Sequence, residues 1–286
     1  MADETRERIL ILGGTGFLGS AVAAEARERG LRAVTAARGS GRAGSVPDLR
    51  VDFSQPASLN GLLRRGDRVI NLVGLSPVAR PRGGFAAYRA LHSRGVRALL
   101  DLAERVGIAR LVHVSALGVV RGTGAAYAET KANAERALQR SPLATTIVSP
   151  SLLFGPGSEI VALLDLISRF PLVPMPTITA GFRPIHVRDA ARILIDTVSD
   201  DHAPPRLPLV GPELLSATDI ARLYLAARGT RMLRVPRLPS ELVVRLVSLL
   251  RFPGAPTDLR AMLSIDNAGP DAGDDALLRY SDWVQK

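Results

Sequence analysis

Cysteine is absent from this 286-residue chain, which excludes disulfides, thiolate metal sites and cysteine nucleophiles from its chemistry. Aromatic residues are scarce, at 4%, and no apolar run is long enough to span a bilayer. The four histidines, His92, His113, His186 and His202, are too dispersed for metal-ligand spacing. Lysine is almost missing as well: of 37 cationic side chains only Lys131 and Lys286 are lysine, the rest being arginine. The net charge of +10 comes from scattered arginines with neither a long basic run nor interleaved aromatics, so it reads as a solvated surface rather than a nucleic-acid face. The first residues are polar and acidic, unlike a signal peptide, and the expected location is the cytoplasm.

What is present is an alternation of short apolar runs and helical stretches. Residues 9–12, 31–36, 49–52, 69–73, 111–114 and 145–148 read as six strands, the first wholly apolar as in a parallel strand buried on both faces. Helices are expected after the first strand, near 57–65, over about 85–106 and around Tyr127. The expectation is an α/β fold of the doubly wound, Rossmann type, with a dinucleotide-binding domain over 1–150. Beyond Pro150 prolines multiply and strict alternation is lost, so 151–286 is expected to form a smaller, partly interleaved region that caps the substrate side. Within it, residues 241–251 form an apolar stretch too short to span a membrane, read as core packing in preference to an interfacial helix that would allow peripheral association. His186 reads as a structural histidine, and Asp189 as a helix N-cap.

Gly13-Gly14-Thr15-Gly16-Phe17-Leu18-Gly19 follows the first strand and opens a helix. Glycines at 13, 16 and 19 allow the sharp turn and let backbone N–H groups approach a pyrophosphate at the positive helix end. Past the second strand, where an NAD site usually places an acid for the ribose 2′-hydroxyl, the chain carries Arg38 and no acid. A guanidinium suits a 2′-phosphate, so NADP(H) is the expected cofactor, with NAD(H) possible. Asp52 has two readings, an acceptor for the adenine amino group or a helix-cap acid. At the end of the fourth strand, Asn71 is followed by Leu72, Val73 and Gly74, whose backbone is the expected cofactor contact.

One of the two lysines lies four residues after a tyrosine, in Tyr127-Ala128-Glu129-Thr130-Lys131. Positions i and i+4 share a helix face. A phenol ordinarily titrates near 10, and a neighbouring ammonium favours its anion. Tyr127 is therefore the candidate general acid or base at a carbonyl/alcohol carbon, with Lys131 assisting it and holding the nicotinamide ribose. Ser115 ends the fifth strand, where its hydroxyl is placed to stabilise a developing oxyanion. Ala116 and Leu117 stand beside it, so no carboxylate neighbours it in the sequence.

Together with Asp52-Phe53, His113-Val114-Ser115-Ala116-Leu117-Gly118, the run from Pro150 to Gly157 and the run from Arg183 to Ala191, these motifs resemble the short-chain dehydrogenase/reductase superfamily in its extended and atypical branches. Within it the chain is most similar to the group of the complex I nucleotide-binding accessory subunit and its bacterial relatives. The resemblance covers most of the chain to about residue 215, with a weaker echo at 263–267. It implies a nicotinamide-dependent oxidoreductase with a small-molecule substrate. It also implies that Phe53 and Pro150 join Gly13, Thr15, Gly16, Phe17, Leu18, Gly19, Arg38, Asp52, Leu72, Val73, Gly74 and Lys131 at the cofactor. Ser149 departs from the arginine usual before that proline. Because the group includes members that bind nucleotide without turnover, a non-catalytic accessory or sensor protein is the alternative.

Overall fold

A computed structural model of the chain describes residues 7–41, 46–76, 84–119, 125–175, 178, 180–234, 267–270 and 276–286. Strands β1 (Ile9–Leu12), β2 (Ala33–Ala37), β3 (Leu49–Arg50), β4 (Arg68–Asn71), β5 (Arg110–Val114) and β6 (Thr145–Pro150) are joined in one sheet by a seventh, Arg206–Leu209. The helices among the described residues are α1 (Phe17–Glu28), α2 (Gly84–Tyr88), α3 (Gly95–Val106), α4 (Ala126–Arg140), α5 (Glu159–Ile167), α6 (Val187–Ser199), α7 (Ala217–Ala227) and a last short one, Tyr280–Val284. From one edge the sheet runs Arg206–Leu209, β6, β5, β4, β1, β2, β3, with the neighbours among β1 to β6 parallel. The order reverses between β1 and β4, the crevice where doubly wound sheets bind nucleotides.

The chain divides into two compact units, one drawn from Met1–Leu75, Pro81–Ser149 and Val187–Leu207, the other chiefly from Pro150–His186 and Pro208–Lys286. In the first unit, strand alternation sends Leu10, Leu12, Val69 and Leu111 into a core with Leu99, Leu100 and Ala103 of α3 and Leu138 of α4. On the other side α6 packs against α1 and against β4 and β5, burying Leu194, Ile195 and Val198. In the second unit, α5 and α7 are capped by Ser158 and Ser216, whose hydroxyls accept the Val161 and Asp219 N–H groups at 3.2 and 3.0 Å. Its own core joins Phe154, Leu164, Phe182, Tyr224 and Tyr280. His186 is buried there, edge-on to Phe154 at 5.2 Å.

Several sequence expectations need correction. The helix expected over 57–65 shrinks to one 3-10 turn, Pro56–Leu59, because Gly61 takes a left-handed φ of 74°. The long helix expected over 85–106 is present without a gap, but its middle, Arg89–Arg94, widens to a π-helical stretch between α2 and α3. The strand Arg206–Leu209 was not expected; Pro208 in it is tolerated because it lies on the sheet's edge. Asp189 lies within the first turn of α6 rather than at its N-cap. The expected packing of 241–251, and most of the echo at 263–267, lie outside the described residues.

Candidate cofactor and catalytic site

β1 carries the chain into the turn at Gly13, whose N–H donates to the Ala36 carbonyl at 2.7 Å and whose φ is 82°. The glycines are demanded by approach distances. A Cβ on Gly19 would stand 2.1 Å from the Gly13 oxygen, and one on Gly14 2.6 Å from Thr35 Cβ. One on Gly13 would stand 3.1 Å from the Leu72 carbonyl carbon, which brings the end of β4 against the turn. α1 starts after Gly16 with no side-chain cap and no acid in its first turn. Its leading N–H groups are thus offered to an external anion, and the turn fits a pyrophosphate.

Thr15 Oγ1 donates to the Gly39 carbonyl at 3.1 Å, tying this turn to the loop after β2, where Arg38 is exposed. Asp52 Oδ1 accepts from both the N–H and the hydroxyl of Ser54, at 2.9 and 2.7 Å. The Ser54 hydroxyl, then its N–H and the charge of Arg38, hold the Asp52 carboxyl below its usual range against the opposing effect of burial. Phe53 is buried in the first unit's core, and a Cβ on Gly95 would lie 2.8 Å from its carbonyl oxygen.

On α4, Tyr127 and Lys131 are both buried, with the Lys131 Nζ 5.6 Å from the centre of the Tyr127 ring. Nζ donates to the Val114 carbonyl at 3.1 Å, at the end of β5. Burial pushes the ammonium down to about 8, partly offset by the charge of Glu135. A Cβ on Gly74 would lie 3.9 Å from the same Nζ, so the stretch after β4 runs alongside the lysine. Tyr88 and His92 flank the Tyr127 ring edge-on, at 5.9 and 5.6 Å between centres.

Three buried polar links hold these parts. His92, in the π-helical stretch, accepts the Leu75 N–H at Nε2 (2.9 Å), which leaves its proton on Nδ1, 3.2 Å from Thr130 Oγ1. Asn71 Oδ1 accepts the Val73 N–H at 3.0 Å, and its amide nitrogen lies 3.1 Å from His113 Nδ1. Burial, and after it the Lys131 charge, depress both imidazoles, His92 well below its ordinary value and His113 to about 3. Both are neutral around pH 7. The third link runs from Ser115, whose hydroxyl donates to Glu135 Oε1 at 2.5 Å, to Arg206, whose Nη2 donates to Glu135 Oε2 at 2.9 Å.

A family model described as NAD(P)H-binding matches residues 13–163, a little over half of the chain. The chain belongs to this NAD(P)H-binding family. Among its relatives, a ceramide reductase of Caulobacter vibrioides is 30% identical over 228 residues, 78% of this chain and 68% of that protein. Subunit 9 of the NADH dehydrogenase (ubiquinone) 1 alpha subcomplex of Arabidopsis thaliana is 25% identical over 74% of this chain; the chain spans 56% of that protein. Similar solved structures include a nucleoside-diphosphate-sugar epimerase from Staphylococcus aureus, with a TM-score of 0.76 at 16% identity, covering 98% of this chain and 100% of that one. A human epimerase family protein solved with NADPH gives 0.71 at 19% identity, covering 97% and 98%. These structures share the Rossmann-type fold.

Every candidate residue from Gly13 to Pro150 falls within the stretch matched to the NAD(P)H-binding family. The structure gathers Gly13, Thr15, Gly16 and Gly19 at one turn, with Phe17 and Leu18 opening α1, and brings Leu72 against that turn. It gathers Tyr127, Lys131 and Gly74 at a second place. Ser115 follows Val114, the partner of Lys131, but its hydroxyl proton points to Glu135. Phe53 offers a ligand its backbone only, and Pro150 closes β6 as the first residue of the second unit. Sequence reasoning missed Glu135 and His92. Glu135 had a signal, since 127, 131 and 135 form one i, i+4, i+8 stripe; His92 had none, because its position depends on the π-helical stretch.

Proposed function

We propose that this protein is an NADP(H)-preferring oxidoreductase that interconverts a carbonyl and an alcohol, with Tyr127 as the proton-transferring residue. The observation that carries this reading is the burial of Tyr127 and Lys131 side by side on α4, with the lysine held by a backbone carbonyl rather than a salt bridge among the described residues. Gly13, Thr15, Gly16, Phe17, Leu18 and Gly19 would hold the pyrophosphate, and Arg38 the 2′-phosphate. Asp52 and Phe53 would border the adenine, and Leu72, Val73, Gly74, Lys131 and Pro150 the nicotinamide side. The bound nicotinamide supplies or accepts the hydride. Tyr127 gives its phenolic proton to the oxygen of the reduced carbonyl, or removes it in the reverse direction. Lys131, largely cationic at neutral pH, favours the phenolate that this leaves behind. Ala116 and Leu117, which follow Ser115, carry no carboxylate that could act in dehydration, and Glu135, which Ser115 touches, is already engaged by the Ser115 hydroxyl and by Arg206. For Ser115 to donate to the substrate oxygen, its hydroxyl must turn away from Glu135. A long-chain lipid carbonyl, by analogy with the relative named a ceramide reductase, is the first substrate class to screen.

The alternative, a protein that binds NADP(H) without turnover, draws on the commitment of the Ser115 proton to Glu135 and on the similarity to a respiratory complex subunit. Calorimetric titration with NADPH and NADH, on the wild type and on Arg38→Ala, tests the cofactor. NADPH should bind at least about tenfold tighter than NADH, about 1.4 kcal/mol, and Arg38→Ala should erase that margin. Absence of binding by either nucleotide overturns the proposal. Tyr127→Phe then separates the two readings: turnover should fall by about 10²- to 10⁴-fold while NADPH affinity is unchanged. Turnover that survives this change rules Tyr127 out.

A further inference from the structure

Glu135 is buried one helical turn beyond Lys131, on the same face of α4. Its two oxygens are occupied differently: Oε1 accepts from the buried Ser115 hydroxyl, while Oε2 accepts from Arg206, whose side chain is half exposed. Among the described residues, the other groups that face Lys131 supply no negative charge. His92 from the π-helical stretch and His113 from β5 are neutral, Tyr127 is a phenol, and Val114 offers a carbonyl dipole. An ammonium in such surroundings tends to shed its proton unless a carboxylate opposes the cost of desolvation. Among the described residues Glu135 is the carboxylate whose charge reaches it. Arg206 offsets part of that charge but is open to solvent and therefore screened, whereas the path from Glu135 to Lys131 runs through the interior.

We propose that Glu135 is a positioning residue for the proton chemistry of Tyr127: from inside the fold it keeps Lys131 cationic and pins the Ser115 hydroxyl toward α4. This rests on the oxidoreductase reading for its purpose, but not for its test. A purely structural Glu135 would tie β5 to α4 through Ser115 and leave the lysine's proton affinity alone. The proposed one acts on that affinity directly, and does so even without Ser115.

The near absence of lysine makes the measurement direct. The 286-residue chain labelled with ¹³C at the lysine Cε carries two lysine signals, from Lys131 and Lys286, and Lys131→Met assigns them. In the wild type the Lys131 signal should titrate with a midpoint near 8. Glu135→Gln, close to isosteric, should lower that midpoint by about one unit, a tenfold loss of proton affinity. Ser115→Ala should leave it in place. A midpoint unmoved by Glu135→Gln, or moved as far by Ser115→Ala, overturns the proposal. Should Glu135→Gln fail to fold, Arg206→Ala decides instead: by releasing Glu135 from its outer partner it should raise the midpoint, and no rise overturns the proposal. The titration needs no turnover, so failure of the oxidoreductase reading would show separately, as absent NADPH binding. If turnover is present, the alkaline limb of kcat/KM should move to lower pH together with the NMR midpoint.

Discussion

At the β1–α1 turn the site is made of backbone: Gly13, Gly14 and Gly19 sit where a Cβ would come within 3.1 Å of a neighbour, and N–H groups are left facing outward. Around Tyr127 and Lys131 it is made of buried side chains, two neutral imidazoles, an ammonium and a carboxylate, linked through Asn71, Thr130 and Ser115. The first kind of site costs little stability once folded, because its peptide groups carry no net charge that must be taken out of water. The second kind holds ionisable groups out of water, and each such group makes the fold depend on pH.

The largest effect that would sharpen this contrast is expected at Gly19→Ala. Its methyl would collide with the Gly13 carbonyl, forcing the turn and α1 apart at a cost of about 1–3 kcal/mol or more. NADPH affinity measured by calorimetry should fall by at least about 100-fold, about 2.7 kcal/mol, and the melting temperature with it. If Gly19→Ala binds like the wild type, the turn is not closed by backbone contact and the contrast breaks.

On the other side the sign reverses. Replacing Lys131 with Met removes a buried cation whose proton affinity is lowered from 10.5 to about 8. Below pH 8 the folded chain bears the full desolvation penalty, about 3 kcal/mol, against which stands about 1 kcal/mol for the lost Val114 hydrogen bond. Urea unfolding at neutral pH should therefore show Lys131→Met more stable by about 2 kcal/mol, while turnover falls. The penalty is relieved as pH rises from about 8 to 10.5, because there the unfolded chain holds a proton that the folded one has released. The variant's advantage should shrink over that window; a constant advantage would mean that Lys131 is not penalised.

The smallest effect, read over a single pH unit, concerns His92 and His113. Both are depressed in the fold, so below about pH 6.5 the unfolded chain binds protons that the folded chain refuses. Stability should decline by about 1.4 kcal/mol per histidine for each pH unit below that point, and for His113 the decline should continue toward its folded value of about 3. The urea midpoint between neutral and mildly acidic pH reads this directly, and a flat profile would remove the burial argument for both rings.

The same contrast explains what could be read from the chain alone. Glycines required by close approach announce themselves in sequence, and six of the seven strands of the large sheet were legible as short runs alternating with helices. Tyr127 and Lys131 were legible because one helix carries both. The Asn71–His113 and Ser115–Glu135–Arg206 links join residues distant along the chain, and no local pattern encodes such a meeting. The strand at Arg206–Leu209 was hidden for a related reason: it is short, contains proline and returns to the sheet after a long excursion. The helical run through His92 is continuous, as read, but its π-helical stretch turns the later residues out of the ordinary helical phase, and the sequence does not mark that shift.

That late return has a consequence for biosynthesis. When the ribosome has released the chain only as far as Ser149, β6 is a bare edge whose Ile147 N–H still lacks the Pro205 carbonyl it will meet at 2.9 Å. The surfaces of α1, β4 and β5 that α6 will cover are equally open at that moment. The nascent chain thus passes through an interval in which a nearly finished sheet presents both an unpaired margin and an uncovered apolar face, the condition in which partly made proteins associate wrongly or engage chaperones.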